Sequence, residues 1–71
     1  MATITLETAN EILEELRTNG QQIGETEKLS HGMSKEVYEE VDWKYIIFFD
    51  NGQVKKIEAG NHRELIEKWV R

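Results

Sequence analysis

The chain has few residues that could carry out chemistry, and they form no recognisable catalytic pattern. Its two histidines, His31 and His62, lie in no nucleophile or metal-binding motif, and cysteine is absent. His31 with Ser34 comes nearest to a reactive pair, and loop pairs of this kind are frequent by chance. We therefore expect no enzymatic activity and no catalytic residue. A ligand-binding or catalytic role centred on His31 is the weakest of our hypotheses.

Carboxylates are numerous, but their spacing does not build a metal site. Glu36, Glu39 and Glu40 could approach a hard cation from a helix, although such sites normally take more oxygen ligands from a shaped loop. The five glycines are scattered along the chain, and none belongs to a phosphate-binding loop. The sequence thus predicts neither a metal nor a cofactor.

Acidic residues are concentrated in the first part of the chain. Residues 1–43 hold ten acids and three bases (net −7) and residues 44–71 hold four acids and six bases (net +2), which sum to the −5 of the chain. Phosphates repel such a chain, so direct nucleic-acid binding is not expected. The uneven charge is typical of a solvated surface and is also able to steer a protein partner. The candidate acidic interface consists of Glu11, Glu14, Glu15, Glu36, Glu39 and Glu40.

The strongest structural signal is a β-hairpin over residues 44–59. The run 44–49 is mostly apolar and β-favouring, and Asn51-Gly52 tolerates the positive φ of a tight turn. Residues 54–59 supply the return strand, whose lysines are typical of a more exposed strand. Both faces of the first strand are apolar, which predicts a central strand covered on both sides.

Two helices and one further strand are predicted around this hairpin. Residues 3–6 alternate polar and apolar side chains and predict a short strand. Thr8, with a glutamate three residues later, has the capping-box spacing that begins a helix over about 9–18. Asn61 is followed by a glutamate in the same way, and the apolar face after it predicts a helix over about 62–70.

The segment before the hairpin supports two interpretations. A cap at Ser34 and an apolar side favour a short helix over about 34–42. The alternation of Val37, Val41 and Trp43 instead indicates an irregular strand that leads into the hairpin. We favour the helix and keep the strand as the alternative.

These elements predict an α+β fold in one compact domain, residues 1–71. A small antiparallel sheet, formed by the hairpin 44–59 and the strand 3–6, would carry the helices packed on it. No segment has the length and hydrophobicity of a membrane span, and the N-terminus lacks the pattern of a signal peptide. We therefore expect a cytoplasmic protein with no membrane contact.

Two short helices cannot cover both faces of the central strand. We expect them on the side of Ile46 and Phe48, which would leave an exposed apolar patch on the other side. The candidate apolar interface consists of Trp43, Tyr45, Ile47 and Phe49. Our main hypothesis is a small, acidic, non-enzymatic module that regulates or inhibits another protein through surface contacts. The alternative is an accessory protein that buries this patch against a second copy of itself. No motif is specific enough to name a family.

Overall fold

The computed structural model describes residues 2–71, and one mixed β-sheet dominates it. Strands make up 53% of the described residues and helix 20%, so the expected small antiparallel sheet with several helices packed on it is wrong. In chain order the elements are β1 (Ala2–Ile4), α1 (Leu6–Asn19), β2 (Gln21–Gln22), β3 (Glu27–Lys28), β4 (Met33–Glu40), β5 (Trp43–Asp50), β6 (Gln53–Gly60) and β7 (Leu65–Val70). The sheet order is β1-β7-β6-β5-β4-β2, and β3 also pairs with β4.

Long antiparallel pairs form the centre of the sheet. β4 pairs with β5 over eight residues, from Met33 opposite Asp50 to Glu40 opposite Trp43. β6 pairs with β5 on one side and with β7 on the other. The N-terminal strand, expected at 3–6, occupies residues 2–4 and runs parallel to β7 at the sheet edge.

Two tight turns meet at one end of the sheet. The predicted hairpin is present, and its turn residues Asn51 and Gly52 have φ values of 52° and 85°. Between β3 and β4, His31 and Gly32 have φ values of 59° and 77°. The backbone N–H of Asn51 donates a hydrogen bond to the carbonyl of Gly32 at 2.9 Å. The positive φ of Gly32 favours glycine, and a Cβ there would also lie 2.5 Å from Asn51 Oδ1, so that side chain would have to move.

A β-bulge sets which side chains of β6 face the core. The register shifts between Phe48 and Phe49, which leaves Lys55 of β6 without a partner. Because of this extra residue, Val54 and Ile57 both point towards α1, although simple alternation places them on opposite faces. The bulge therefore gives β6 one apolar face where the sequence pattern shows none.

α1 covers one face of the sheet and forms the core with it. Its buried residues recur at helical spacing, and the strands place larger side chains beneath them. The core side chains, each at most 7% exposed, are Ala9, Leu13, Leu16, Tyr38, Ile47, Phe49, Val54 and Ile57. Burying an aliphatic or aromatic side chain of this size contributes about 1.5–3 kcal/mol.

α1 begins earlier than the capping-box spacing predicts. The N-cap is Thr5, whose Oγ1 accepts a hydrogen bond from the backbone N–H of Thr8 at 3.1 Å. Thr8 therefore lies inside the first turn, and the predicted start near residue 9 is wrong. After the last turn, the N–H of Gly20 donates to the carbonyl of Leu16 at 2.8 Å.

The segment expected to form a C-terminal helix is strand β7. Asn61 Oδ1 does accept hydrogen bonds from the N–H groups of Arg63 and Glu64, at 2.8 and 3.0 Å, so the capping signal operates locally. The chain nevertheless continues as a strand, because β6 on one side and β1 on the other pair with its backbone. An isolated helix of this length is only marginally stable, whereas hydrogen bonds to two neighbouring strands stabilise β7.

The short helix favoured over 34–42 is also wrong, because β4 occupies residues 33–40. Alternation along β4 puts Tyr38 in the core at 3% exposure, while its neighbour Val37 faces the other side of the sheet. A helix at this position would leave the long edge of β5 unpaired. The alternative interpretation, a strand leading into the hairpin, gives the correct element type.

Candidate functional site

The apolar patch predicted from the sequence lies beneath α1 rather than at the surface. Ile47 is 0% exposed and Phe49 is 6% exposed, and Tyr45 packs against the edge of the same core. Trp43, at the start of β5, is half-buried and borders a groove beside the β4–β5 turn. α1 thus covers the side of β5 opposite to the one expected, and the four side chains do not form one exposed surface.

The sheet face opposite α1 carries no helix within residues 2–71, and we call it the open face. The pairing register places Val37 beside Ile46. It also places Lys56 of β6 between Phe48 of β5 and Trp69 of β7. All five side chains are half-buried although no second layer covers them.

The side chain of Lys56 covers the centre of the open face. Its Nζ lies 5.3 Å from the centroid of the Phe48 ring and 4.6 Å from that of Trp69. The same ammonium group forms ion pairs of 3.3 Å with Glu58 and 3.4 Å with Glu67. Desolvation lowers the pKa of Lys56, but the two carboxylates outweigh it, and the net shift is upward. The aliphatic stem and the charge together shield both rings from water.

A groove of about 550 Å³ lies at one end of the open face, where the β4–β5 turn approaches the β6–β7 loop. We call it the end groove. Val41, Trp43, Ile46 and Leu65 provide its apolar lining. Val41 is 88% exposed and Leu65 69% exposed, which makes them the most exposed large hydrophobic residues within 2–71. The apolar surface left uncovered by the fold is therefore concentrated here.

The backbone of Val41 is strained. Its φ is 57°, in the left-handed region where a β-branched side chain is rarely found. Val41 and Asp42 form the two-residue turn between β4 and β5, and glycine or asparagine usually occupies such a position. A conformation of this kind costs about 1–3 kcal/mol. The exposed side chain contributes nothing to the core in return, so folding alone does not explain this valine.

Acidic residues surround the end groove. In sequence, Val41 is flanked by Glu39, Glu40 and Asp42, and of these acids Glu39 and Asp42 line the groove. Neither of these two carboxylates has a basic side chain within 4.0 Å among the residues that the structure describes. Lys44 is the single Lys or Arg of the groove lining in this part of the chain.

Two carboxyl groups meet on the α1 side of the same end of the sheet. The interaction between Glu15 of α1 and Glu40 of β4 lowers the pKa of Glu15 and raises the pKa of Glu40, and a hydrogen bond from Asn19 Nδ2 also lowers the pKa of Glu15. Burial raises the pKa of nearby Tyr45, and the charges of Glu40 and Glu15 raise it further. This end of the molecule is therefore acidic on both sides of the sheet.

The six glutamates of the predicted acidic interface do not share one surface. Glu39 faces the open side, whereas Glu36 and Glu40 face the α1 side, because alternate residues of β4 point in opposite directions. Glu11, Glu14 and Glu15 are exposed on α1 itself.

The carboxylate of Glu36 has a structural role, because both of its oxygens accept hydrogen bonds from other side chains. Its oxygens accept hydrogen bonds from Arg17 Nη2 at 3.1 Å, the Tyr38 hydroxyl at 2.6 Å and Thr26 Oγ1 at 2.8 Å. Burial alone would raise the pKa of Glu36, but these hydrogen bonds outweigh burial and lower it. The network ties α1 to β4 and leaves Glu36 unsuited to bind a partner.

The histidines are far apart in the fold. His31 lies in the β3–β4 turn, and the exposed His62 lies beside the end groove. Across residues 2–71, no three histidine, aspartate or glutamate side chains converge on a position for a metal ion.

Three residues of the end groove were missed in the sequence. The predicted helix over 62–70 places Leu65 on a helix face, Val41 falls in the segment with two interpretations, and Asp42 counts only towards the acidic charge. The available signal was an apolar residue next to acids, placed shortly before the β-favouring run 44–49. Such a residue lies in a tight turn, where no core can cover it.

Comparison with known proteins found no matching family model, no matching curated protein and no matching solved structure. α1, the one helix in the described residues, is neither long nor apolar enough to cross a membrane. What the protein does must therefore be inferred from the geometry of its own surface.

Proposed function

We propose that this protein is a small, non-enzymatic binding module that regulates or inhibits a larger protein by holding an extended segment of it in the end groove. The observation that carries the proposal is the exposure of Val41 and Leu65 on the two sides of one groove. Both side chains would be covered by a segment laid between the β4–β5 turn and the β6–β7 loop. Outliers in backbone strain are concentrated at ligand-binding positions, which supports the same role for Val41.

An extended segment fits the end groove better than a compact ligand. Small-molecule sites enclose most of the ligand surface and direct several polar groups inwards. The end groove is instead bounded by a turn and a loop, and its four apolar side chains face an open surface. A peptide can place one or two apolar anchors there and continue past the rim.

The energetics indicate a weak, reversible contact. Full burial of Val41 and Leu65 would contribute about 3–5 kcal/mol in total. A micromolar Kd corresponds to about 8 kcal/mol, and association itself has a large entropic cost. Further contacts at the rim of the groove are therefore needed for useful affinity.

The apolar patch predicted for self-association is largely buried in the structure. Ile47 and Phe49 are buried in a single copy, so they cannot form a homodimer interface without displacing α1. A dimer through the end groove would instead bring together the acidic rims of two copies that each carry a net charge of −5. Binding to a different protein is the better-supported alternative.

A phage-displayed library of random peptides, selected on the wild-type protein, tests the proposal. We expect selected peptides to lose about tenfold or more in affinity, or about 1.4 kcal/mol, against the double variant Val41→Asp/Leu65→Asp. The matched control is Ile23→Asp/Leu29→Asp, because these two residues are also exposed, at 43% and 39%, and lie outside the end groove.

The result depends on the comparison of the two variants. Peptides that bind both double variants equally well, or a selection that enriches no sequence, would contradict the proposal. Circular dichroism of each variant checks that it remains folded.

A further inference from the structure

We infer that the segment bound in the end groove is basic. Its apolar anchor packs between Val41 and Leu65, and lysine or arginine residues beside the anchor meet the carboxylates of the rim. This inference rests on the proposed function and adds the chemistry of the partner to it.

The first argument is the unpaired charge at the rim. Glu39 and Asp42 are exposed, line the groove, and have no ion pair within 4.0 Å in the described part of the chain. Lys44 lies opposite Glu39 in the β4–β5 register and offsets one of the two charges. The remaining negative charge lies beside the apolar lining, where a complementary charge fixes the orientation of a bound segment.

The second argument is the field of the whole molecule. The chain carries a net charge of −5, and residues 1–43 account for −7 of it against +2 from the rest. Glu15 and Glu40, which line one cavity on the α1 side, lie at the same end of the sheet. A basic segment is attracted to this end from a distance, whereas an acidic segment or a second copy of the chain is repelled.

The third argument comes from Lys56, which shows how a basic side chain is held on this face. Its stem lies across apolar surface, its ammonium group approaches the Trp69 ring at 4.6 Å, and two carboxylates accept its charge. The end groove offers a similar combination of groups: the apolar side chains of Ile46 and Leu65 for the stem and the carboxylates of Glu39 and Asp42 for the charge. A lysine or arginine of the partner would repeat an arrangement that the open face already contains.

Three fluorescent peptides with the same central Trp-Leu pair test the inference. The pair is flanked on both sides by lysines in the first peptide, by serines in the second and by glutamates in the third. By fluorescence anisotropy at low salt, we expect the lysine peptide to bind about threefold to tenfold more tightly than the serine peptide, as two exposed ion pairs would give. The glutamate peptide should bind most weakly, and added sodium chloride should reduce the differences.

Two variants of equal charge locate the effect. Glu39→Gln/Asp42→Asn should abolish the advantage of the lysine peptide. Glu11→Gln/Glu14→Gln changes the net charge by the same amount on the exposed side of α1 and should leave the advantage intact. The inference is overturned when the second variant abolishes the advantage and the first does not.

The outcomes separate the inference from the proposed function. Serine and lysine peptides that bind equally, and that both require Val41 and Leu65, would overturn the inference and leave the proposed function in place. Binding that is independent of Val41 and Leu65, or no binding of any peptide, would overturn both. Sedimentation showing self-association that Val41→Asp abolishes would assign the end groove to a second copy and overturn the inference.

Discussion

The ammonium group of Lys56 lies 4.6 Å from the centroid of the Trp69 ring, on the side of the sheet opposite α1. Glu58 and Glu67 hold it there by ion pairs of 3.3 and 3.4 Å. One long side chain thus shields the centre of the open face, whereas a whole helix shields the other face. Neither Lys56 nor α1 covers the apolar lining of the end groove, where Val41 and Leu65 are exposed.

Replacing Lys56 by alanine should uncover the rings beneath it. We expect Lys56→Ala to lower the urea midpoint of unfolding and to increase the fluorescence of a hydrophobic dye, because Phe48 and Trp69 lose their cover. The control is Lys55→Ala, since Lys55 lies in the β-bulge and is exposed, with a single ion pair of 3.9 Å to Asp50. Equal dye fluorescence in wild type and Lys56→Ala would contradict a shielding role.

Val41→Asn should stabilise the fold and weaken binding. Asparagine tolerates a φ of 57° far better than valine, so we expect the free energy of unfolding to rise by about 1 kcal/mol. For a chain of this size, that gain corresponds to an increase in Tm of about 4–8 °C. Affinity for peptides selected on the wild type should fall at the same time.

Val41→Ala is the control for this change, because alanine removes most of the exposed side chain but keeps a Cβ at positive φ. It should lower peptide affinity and leave Tm close to the wild-type value. An asparagine variant that is no more stable than the alanine variant would show that the backbone of Val41 is not strained.

The two apolar surfaces should respond differently to truncation. Ile47 is 0% exposed under α1, so Ile47→Val should reduce the free energy of unfolding by about 0.5–1.5 kcal/mol. Leu65 is 69% exposed at the end groove, so Leu65→Ala should change it by no more than about 0.5 kcal/mol. Urea unfolding of both variants makes the comparison, and a larger loss for Leu65→Ala would place that side chain in the core.

Stability should depend on pH through Glu36. Its folded-state pKa lies below the reference value of 4.5, so its contribution is fully present above that value and is lost as the pH falls through the lower folded-state pKa. Glu36→Gln should therefore be less stable than wild type at neutral pH and lose less stability on acidification. Glu14→Gln, which changes an exposed carboxylate on α1, is the control. Parallel acid-unfolding curves for wild type and Glu36→Gln would contradict this role.

Local signals predicted the parts of the fold that local interactions determine. Asn51-Gly52 specified the hairpin turn because both residues tolerate positive φ, and the apolar spacing of Leu13 and Leu16 specified α1. The helix predicted after Asn61 is wrong: Asn61 Oδ1 does accept hydrogen bonds from the next backbone N–H groups, yet the chain after it pairs as β7 with the distant strand β1. No local sequence pattern indicates the pairing of β1 with β7.

The sequence did not predict the candidate site, for a related reason. Which face of β5 becomes buried depends on where α1 packs, and the bulge at Lys55 decides which face of β6 is apolar. Alternation alone allows either side of β5 to be buried, and the prediction that the side of Ile46 and Phe48 is covered is wrong. The backbone strain at Val41 could not be predicted, because strain depends on φ, and φ is known only once the turn between two strands is defined.

The pairing of β1 with β7 has a consequence for how the chain is made. Ala2 lies opposite Lys68 and Ile4 opposite Val70, so β1 must wait for a partner strand that is synthesised much later. Until β7 has emerged, β6 has an open edge and the first strand has no neighbour. The sheet is therefore completed only after nearly all of residues 2–71 have been synthesised, and nascent chains arrested earlier should be readily cut by proteases.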